Sequence, residues 1–402
     1  SCKCYQQNKE LTMQKPNVIF IAGERQHAGK TTTSLGIISA LSKYMDPKDI
    51  GYFKPVGQEM VTLPNGEKID KDVLIIKQFT ELEIEDASML SSVRVMSGVT
   101  ANYIKSSNRL SLTKDYEKSI HNSLNYLSNK KIIIAEGTGH PGVGSVIGLS
   151  NARVANLLNA KILYLVGGGI GRTLDELEVD LSYFSHNQNK VLGVLFNKVI
   201  PKKLDSMKSI LDEDAIQRIF SEWAPPLNVF GYMPKVEYLN NPSMELISAS
   251  FQDMRPLNNQ LHSENGRMPC RKVKIISQNY KKFNPAMRLK SRDIAVIAAG
   301  THRRLKSIIN YSKSLEDGSI GGIILTCATD DYPDSLTVEI LSQTDIPVFS
   351  VQIDTAETDQ VLYKCFRDTK IQLYDTKKHE MIVSLFENHF DTKRFIDSSM
   401  NF

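Results

Sequence analysis

Apolar and polar positions along this chain alternate in blocks. Short runs apolar at nearly every position, namely Ile19-Phe20-Ile21-Ala22, Ile132-Ile133-Ile134-Ala135, Ile162-Leu163-Tyr164-Leu165-Val166 and Val191 to Phe196, are separated by stretches whose apolar residues recur at helical spacing, such as Leu35, Ile38 and Leu41. A strand apolar on both faces belongs inside a parallel sheet that helices cover. With Ile50 to Gly57 and Asn228 to Pro234 added, the pattern predicts an α/β fold built on a doubly wound, mostly parallel sheet. Ile294 to Ala298, Gly322 to Thr326 and Pro347 to Val351, with a helix over Arg303 to Leu315, predict a second and smaller α/β unit.

Changes of texture suggest the divisions. Residues 1–15 are polar and read as a flexible tail, residues 16–247 as the first domain, and residues 290–402 as the small module. Residues 248–289, rich in Asn, Arg, Lys and Pro with little periodicity, read as a linker. Residues 80–130 read as a mostly helical polar insertion, in which Tyr103, Asn108 and Tyr116 have no evident role.

At 402 residues and 41% hydrophobic content the chain suits two or three cores. A net charge of +4 is mild, and no dense basic block alternates with aromatics, so no nucleic-acid partner is expected. No apolar run approaches the roughly 18 residues that span a bilayer, and the first residues lack the apolar core of a secretory signal. A soluble protein without a membrane partner follows as an expectation. Five scattered cysteines argue for free thiols in a reducing compartment, the cytoplasm or an organelle matrix. Cys2-Lys3-Cys4 has the look of half a metal site, but no second ligand pair accompanies it.

The candidate chemistry starts where the first apolar run ends. Gly23-Glu24-Arg25-Gln26-His27-Ala28-Gly29-Lys30-Thr31-Thr32 is a glycine loop opening into a helix, the arrangement that cradles a polyphosphate. Gly23 and Gly29 permit close backbone approach, Gln26, His27, Ala28 and Thr32 complete the cradle, Lys30 brings an ammonium, and Thr31 brings an oxygen for Mg²⁺. Five residues separate the glycines where the common loop has four, and Glu24 stands where a glycine is usual.

Further candidates sit at strand tips, where open parallel sheets bind ligands. Lys54, before Pro55-Val56, is either a phosphate or substrate contact or a surface lysine. Asp70 and Asp72 precede an apolar helix pattern, and a carboxylate there caps the helix or holds a metal. Glu136 is delivered by a buried strand straight into Gly137-Thr138-Gly139 and suits Mg²⁺. His140 reads as a loop histidine. Gly167 to Gly171 reads as a tight turn with Thr173 as helix N-cap, and Asn197 has the paired donor and acceptor that suit an adenine edge. In the second unit His302, Arg303 and Arg304 read as an exposed basic turn or an anion site, and Asp354-Thr355 as a cap for a helix over Thr355 to Phe366.

Together these landmarks resemble the dethiobiotin synthetase-like P-loop family. The long loop from Gly23 to Thr31, Lys54-Pro55-Val56, Asp72-Val73, Glu136-Gly137-Thr138-Gly139, Asn197-Lys198 and Gly231 to Pro234 occur in that family's order, over about residues 16–247. The resemblance extends to the N-terminal region of phosphotransacetylases, whose following DRTGG-type module looks like residues from about 290 onward. It implies ATP and Mg²⁺ as cofactors: Lys30 and Thr31 on the triphosphate and metal, Thr31, Asp72 and Glu136 as the metal set, Lys30, Lys54 and Glu136 as catalytic groups, and Asn197 on adenine.

The activity implied is ATP-dependent activation of a small carboxylate or carbamate, with an unidentified small molecule as partner and a homo-oligomer, a dimer or larger. Four departures shape that expectation. Arg25 stands where the synthetase has an aspartate, no diamine-binding segment is recognisable between Gly139 and Ala152, Gly300-Thr301-His302-Arg303 replaces Gly-Asp-Arg, and Thr326-Cys327-Ala328 replaces Thr-Gly-Gly. Biotin synthesis is therefore not expected, and acetyl transfer is not expected because the acyl-transferring domain of phosphotransacetylases has no counterpart in this sequence. The competing class is a non-catalytic nucleotide-sensing or assembly module.

Overall fold

The computed structural model describes residues 15–167, 169–222, 226–276, 284 and 288–400. Cys2, Cys4 and nearly all of the expected tail lie outside the described residues, as does Gly168 of the glycine turn. The chain forms two compact units, residues 1–235 with 379–402, and residues 236–378.

In the first unit, strands β1 (Asn17–Gly23), β2 (Ile50–Gly57), β5 (Ser91–Arg94), β6 (Ile132–Glu136), β7 (Lys161–Val166), β8 (Lys190–Val199) and β9 (Asn228–Pro234) form one sheet in the order β5-β2-β6-β1-β7-β8-β9. Every pair in it is parallel. Two short strands, β3 (Met60–Thr62) and β4 (Lys68–Asp70), make a separate hairpin beside it. Ile19, Ile21, Ile133 and Ile134 have no exposed surface, as strands buried on both faces require. β1 is central, flanked by β6 and β7, so the loop leaving it opens at the middle of the sheet's carboxyl edge.

The region expected to be a helical insertion also contributes to this sheet, since β5 pairs with β2 at Lys54, Val56 and Gly57. Four residues are too few to show a period, which is why the strand is invisible in the sequence. The helices Val99–Lys105 and Arg109–Tyr126 follow it, and the buried Tyr103 closes them together through a 2.8 Å hydrogen bond between its hydroxyl and that of Thr113.

In the second unit β10 (Arg255–Pro256), β11 (Val273–Ile275), β12 (Ile294–Ala298), β13 (Gly322–Thr326) and β14 (Val348–Ser350) form a sheet in the order β10-β14-β13-β12-β11. The three long-range strands expected here are present. The expected linker is corrected: β10 pairs antiparallel with β14, β11 pairs parallel with β12, and Phe251, Leu261 and Cys270 are buried in the same core as Val296 and Phe349. Strands of two and three residues carry no legible alternation. Asp354 does cap the following helix, Thr355–Arg367, in a capping box with Glu357.

The expected module at residues 290–402 is corrected at its other end too. The helix Thr376–His389 carries Phe386, and Thr392–Met400 carries Phe395; these residues pack in the first unit with Phe390 and Phe230. Lys161 Nζ donates to Ser399 O at 2.7 Å, tying the last helix to β7. Phe386 lies on the helix Lys30–Leu41 at Gly36, where a Cβ would stand 2.2 Å from the ring.

Replacing Gly36 by Ala discriminates between packing and propensity. Helix propensity alone would stabilise the variant by about 1 kcal/mol, whereas overpacking against Phe386 should destabilise it by about 1–3 kcal/mol. Urea denaturation should show the loss, and Phe386→Leu in the same chain should recover part of it. A raised midpoint in Gly36→Ala would mean that the aromatic cover is not seated on this helix.

Candidate functional site

The glycine loop follows β1 and runs directly into the helix Lys30–Leu41. Gly29 adopts a left-handed φ of 97°, and a Cβ there would stand 2.6 Å from Asn197 Nδ2, so both conformation and space demand glycine. A Cβ on Gly23 would meet that of Ala28 at 3.0 Å, so the loop folds closely back over its own start. Lys30 is buried and its Nζ donates to Arg25 O at 3.0 Å and Gly139 O at 3.2 Å, bridging the loop and the turn after β6. Gln26 is exposed, while His27 and Thr32 are partly buried. The positive end of the helix lies under this cradle, which suits an anion.

Asn197 stands at the loop and not on its own. Its Nδ2 donates to Ala28 O at 2.8 Å, and its Oδ1 accepts from Lys198 N at 2.9 Å. Lys198, in a left-handed φ of 54°, donates from Nζ to His27 O at 3.0 Å. Burial, with repulsion from Arg25 and Lys235, lowers the Lys198 ammonium to about 8. The tip of β8 thus braces the crown of the loop, a positioning role that the sequence did not disclose.

The second half of the site is a buried knot of charge. Thr31 Oγ1 donates to Asp72 Oδ1 at 3.0 Å or to Glu136 Oε1 at 2.9 Å, a single hydroxyl proton facing two acceptors. Lys54 Nζ lies 2.6 Å from Asp72 Oδ2 and 2.9 Å from Glu136 Oε1. Burial alone would lower the Lys54 pKa, but the Asp72 and Glu136 carboxylates outweigh it and hold the ammonium well above its ordinary value. Glu136 Oε2 accepts from Ser34 Oγ at 3.0 Å and Tyr52 OH at 2.9 Å. The structure therefore brings Lys30, Thr31, Lys54, Asp72 and Glu136 together, as the sequence suggests.

Ser34 and Tyr52 escaped the sequence reading, although the signal was present. Ser34 lies one helical turn beyond Lys30 and Thr31, and Tyr52 is two residues before Lys54 on the same strand face. Asp70 is the helix N-cap of Lys71–Phe79, accepting from Asp72 N at 2.9 Å. It is buried all the same, and burial, partly offset by Lys54 and reinforced by Asp72, pushes its carboxyl up to about 6. Thr173 is not an N-cap: the helix Ile170–His186 starts earlier, with Gly169 at its N-cap position, and the Thr173 hydroxyl donates to Gly167 O at 2.6 Å. His140 is exposed and its Nδ1 accepts from Gly142 N at 3.2 Å, a local turn contact.

Glu24 also gains a meaning. Its side chain is nearly buried, with Oε1 3.3 Å from Arg25 Nε, and it shares a hydrogen bond with Glu176 of the helix Ile170–His186. Two carboxyls can share such a bond only if one is protonated. Burial and the Glu176 contact, opposed by Arg25, push Glu24 up to about 7.

Residues 17–243 match the model of a family described as an AAA domain. A phosphate acetyltransferase of Synechocystis sp. is 24% identical over 209 residues, covering 48% of this chain. The aligned stretch spans only 27% of that relative's length. Among solved structures, a ParA family ATPase from Chlorobium tepidum TLS matches with a TM-score of 0.34 at 11% identity, covering 56% of this chain and 85% of that one. The CBS and DRTGG domains of the regulatory region of Clostridium perfringens pyrophosphatase match with a TM-score of 0.26 at 13% identity, covering 37% and 61%. Likenesses this distant carry no argument about chemistry.

The Glu24–Glu176 contact predicts a pH dependence. A carboxyl raised in the folded state contributes stability that is fully present below its unfolded value near 4.5 and is lost as pH rises through about 7. Glu24→Gln keeps a donor for Glu176 without the titration. Melting temperatures should therefore fall for the wild type across that window and stay flatter for Glu24→Gln; parallel curves would remove the protonated pair.

Proposed function

For a chain that belongs to this AAA domain family through residues 17–243, we propose the function of an Mg-ATP-binding protein that activates a small carboxylate or carbamate by phosphoryl transfer. The observation that carries the reading is the convergence of Thr31 and Lys54 on the same two carboxylates, Asp72 and Glu136, beside the phosphate loop. Two carboxylates against one ammonium leave net negative charge on oxygen donors, which suits a hard divalent cation.

The donor set also favours Mg²⁺ over zinc. Among the described residues no three His, Cys, Asp or Glu side chains gather as a metal site. Magnesium is commonly held by one or two carboxylates and completed by water and substrate phosphates. Thr31, Asp72 and Glu136 would hold it, and such an ion supplies neutralisation of charge on the phosphate oxygens.

The chain's own groups divide the remaining work. Lys30 neutralises the phosphates from the helix start. Lys54 reaches the same place from β2 and orients an anionic acceptor toward them, which is the positioning that phosphoryl transfer needs. Ser34 and Tyr52 hold Glu136 so that its Oε1 stays directed at Thr31 and Lys54. Asn197 fixes the loop through Ala28 O. The dethiobiotin synthetase-like assignment of substrate class rests on the order of the motifs. A nucleotide-sensing module is the second reading, favoured by the match to a small share of a longer acetyltransferase.

Two measurements test this. Lys30→Ala removes a charge-assisted contact and should weaken Mg-ATP binding by roughly 1.5–3 kcal/mol; equal affinities by calorimetry would refute a phosphate role for the loop. Glu136→Gln should suppress nucleotide turnover far more than Asp70→Asn does, with folding checked by circular dichroism. The reverse order would reassign the acids, and ATP binding without turnover in the wild type would select the sensing reading.

A further inference from the structure

The turn after β6 has a brace of its own. Asn151, the first residue of the helix Asn151–Leu157, is buried, and its side chain makes three hydrogen bonds to the backbone of Thr138 and His140, just after Glu136. Oδ1 accepts from Thr138 N at 3.1 Å, while Nδ2 donates to Thr138 O and to His140 O, each at 2.7 Å. The same short turn carries the carbonyls that hold the two site lysines. Gly139 O accepts from Lys30 Nζ at 3.2 Å, and Gly137 O lies 3.4 Å from Lys54 Nζ.

The residue types fit this task closely. A carboxamide alone offers an acceptor and two donors in one plane at this reach. Aspartate would set negative charge against two carbonyls, and alanine would leave three backbone groups without the partner they have here. Gly137 completes the fit, because a Cβ there would stand 2.9 Å from Asn151 Oδ1 and 2.8 Å from the Phe20 ring. Ser150 seats the helix by accepting from Arg153 N at 3.1 Å, which fixes where Asn151 begins. These bonds end on the two residues flanking Gly139, whose carbonyl accepts from the Lys30 ammonium.

We propose that Asn151 is a positioning residue of the nucleotide site, setting the Gly137 and Gly139 carbonyls so that Lys30 and Lys54 face the phosphates. Asn151 touches no reacting atom, and its effect passes through the two lysines. The inference rests on the nucleotide-binding reading above, and its test separates the two.

Mg-ATP and AMP affinities are measured by calorimetry on wild type, Asn151→Ala and Asn151→Asp, with the fold checked by circular dichroism. A phosphate-loop lysine reaches the β- and γ-phosphates, so displacing it should cost ATP about tenfold and AMP less than about twofold. A double-mutant cycle with Lys30→Ala supplies the second measurement: Asn151→Ala should cost much less in that background, because its route to the phosphate is already gone. An unchanged ratio of ATP to AMP affinity, or full additivity with Lys30→Ala, overturns the proposal. If Asn151→Ala and Asn151→Asp do not fold, Asn151→Ser, which keeps one donor and one acceptor, carries the same two comparisons. A wild type that binds no ATP would instead defeat the nucleotide reading itself.

Discussion

The site depends on one contact: the Lys54 ammonium held between Asp72 and Glu136 in a place where all three side chains are buried. Neither acid is tolerable there alone. Removing one partner of a buried ion pair typically costs about 3–5 kcal/mol, because the other charge is left without compensation. Lys54 comes from β2, Asp72 from the first turn of the helix Lys71–Phe79, and Glu136 from the end of β6. The contact therefore fixes three separate pieces of chain against one another and sets the sheet edge at which the phosphate loop opens. Ser34 and Tyr52 add hydroxyls to the far side of Glu136, so the carboxylate has little freedom to turn.

Much of this was legible in the sequence, for a physical reason. Glycines with a lysine and a threonine at a helix start, and an acid or a lysine at the end of an apolar strand, are local patterns, and local patterns survive in one dimension. Lys30, Thr31, Lys54, Asp72 and Glu136 were found that way. The contact of Asn197 with the loop was not, because a partner that is a backbone carbonyl, Ala28 O, leaves no residue signature. Asn151 was missed altogether, since its partners are backbone atoms that leave no residue signature.

The fold divides along the same line. Apolar runs of five or more residues announced their strands by composition, including the run Pro347 to Val351 that holds the three-residue β14. β5, β10 and β11 did not, because two to four residues cannot display alternation, and only pairing with β2, β14 and β12 makes them strands. The return of the last helices to the first unit was hidden by sequence distance. Phe386, Phe390 and Phe395 form an aromatic patch whose partners, Gly36 and Phe230, lie more than a hundred residues away.

That return bears on the site. The helix Lys30–Leu41 presents Lys30, Thr31 and Ser34 to the polar knot, while Gly36 receives Phe386. The helix Lys71–Phe79 presents Asp72 at its start and stacks Phe79, its last residue, on His379 with ring centroids 5.0 Å apart. Phe386 and His379 lie on one helix, Thr376–His389, seven residues apart and so on one face. A single helix thus backs both the helix that carries Thr31 and the helix that carries Asp72. Their polar ends cannot shift independently unless that aromatic backing gives way, so the spacing of Thr31 and Asp72 is set as much from behind, by packing, as from the front, by charge.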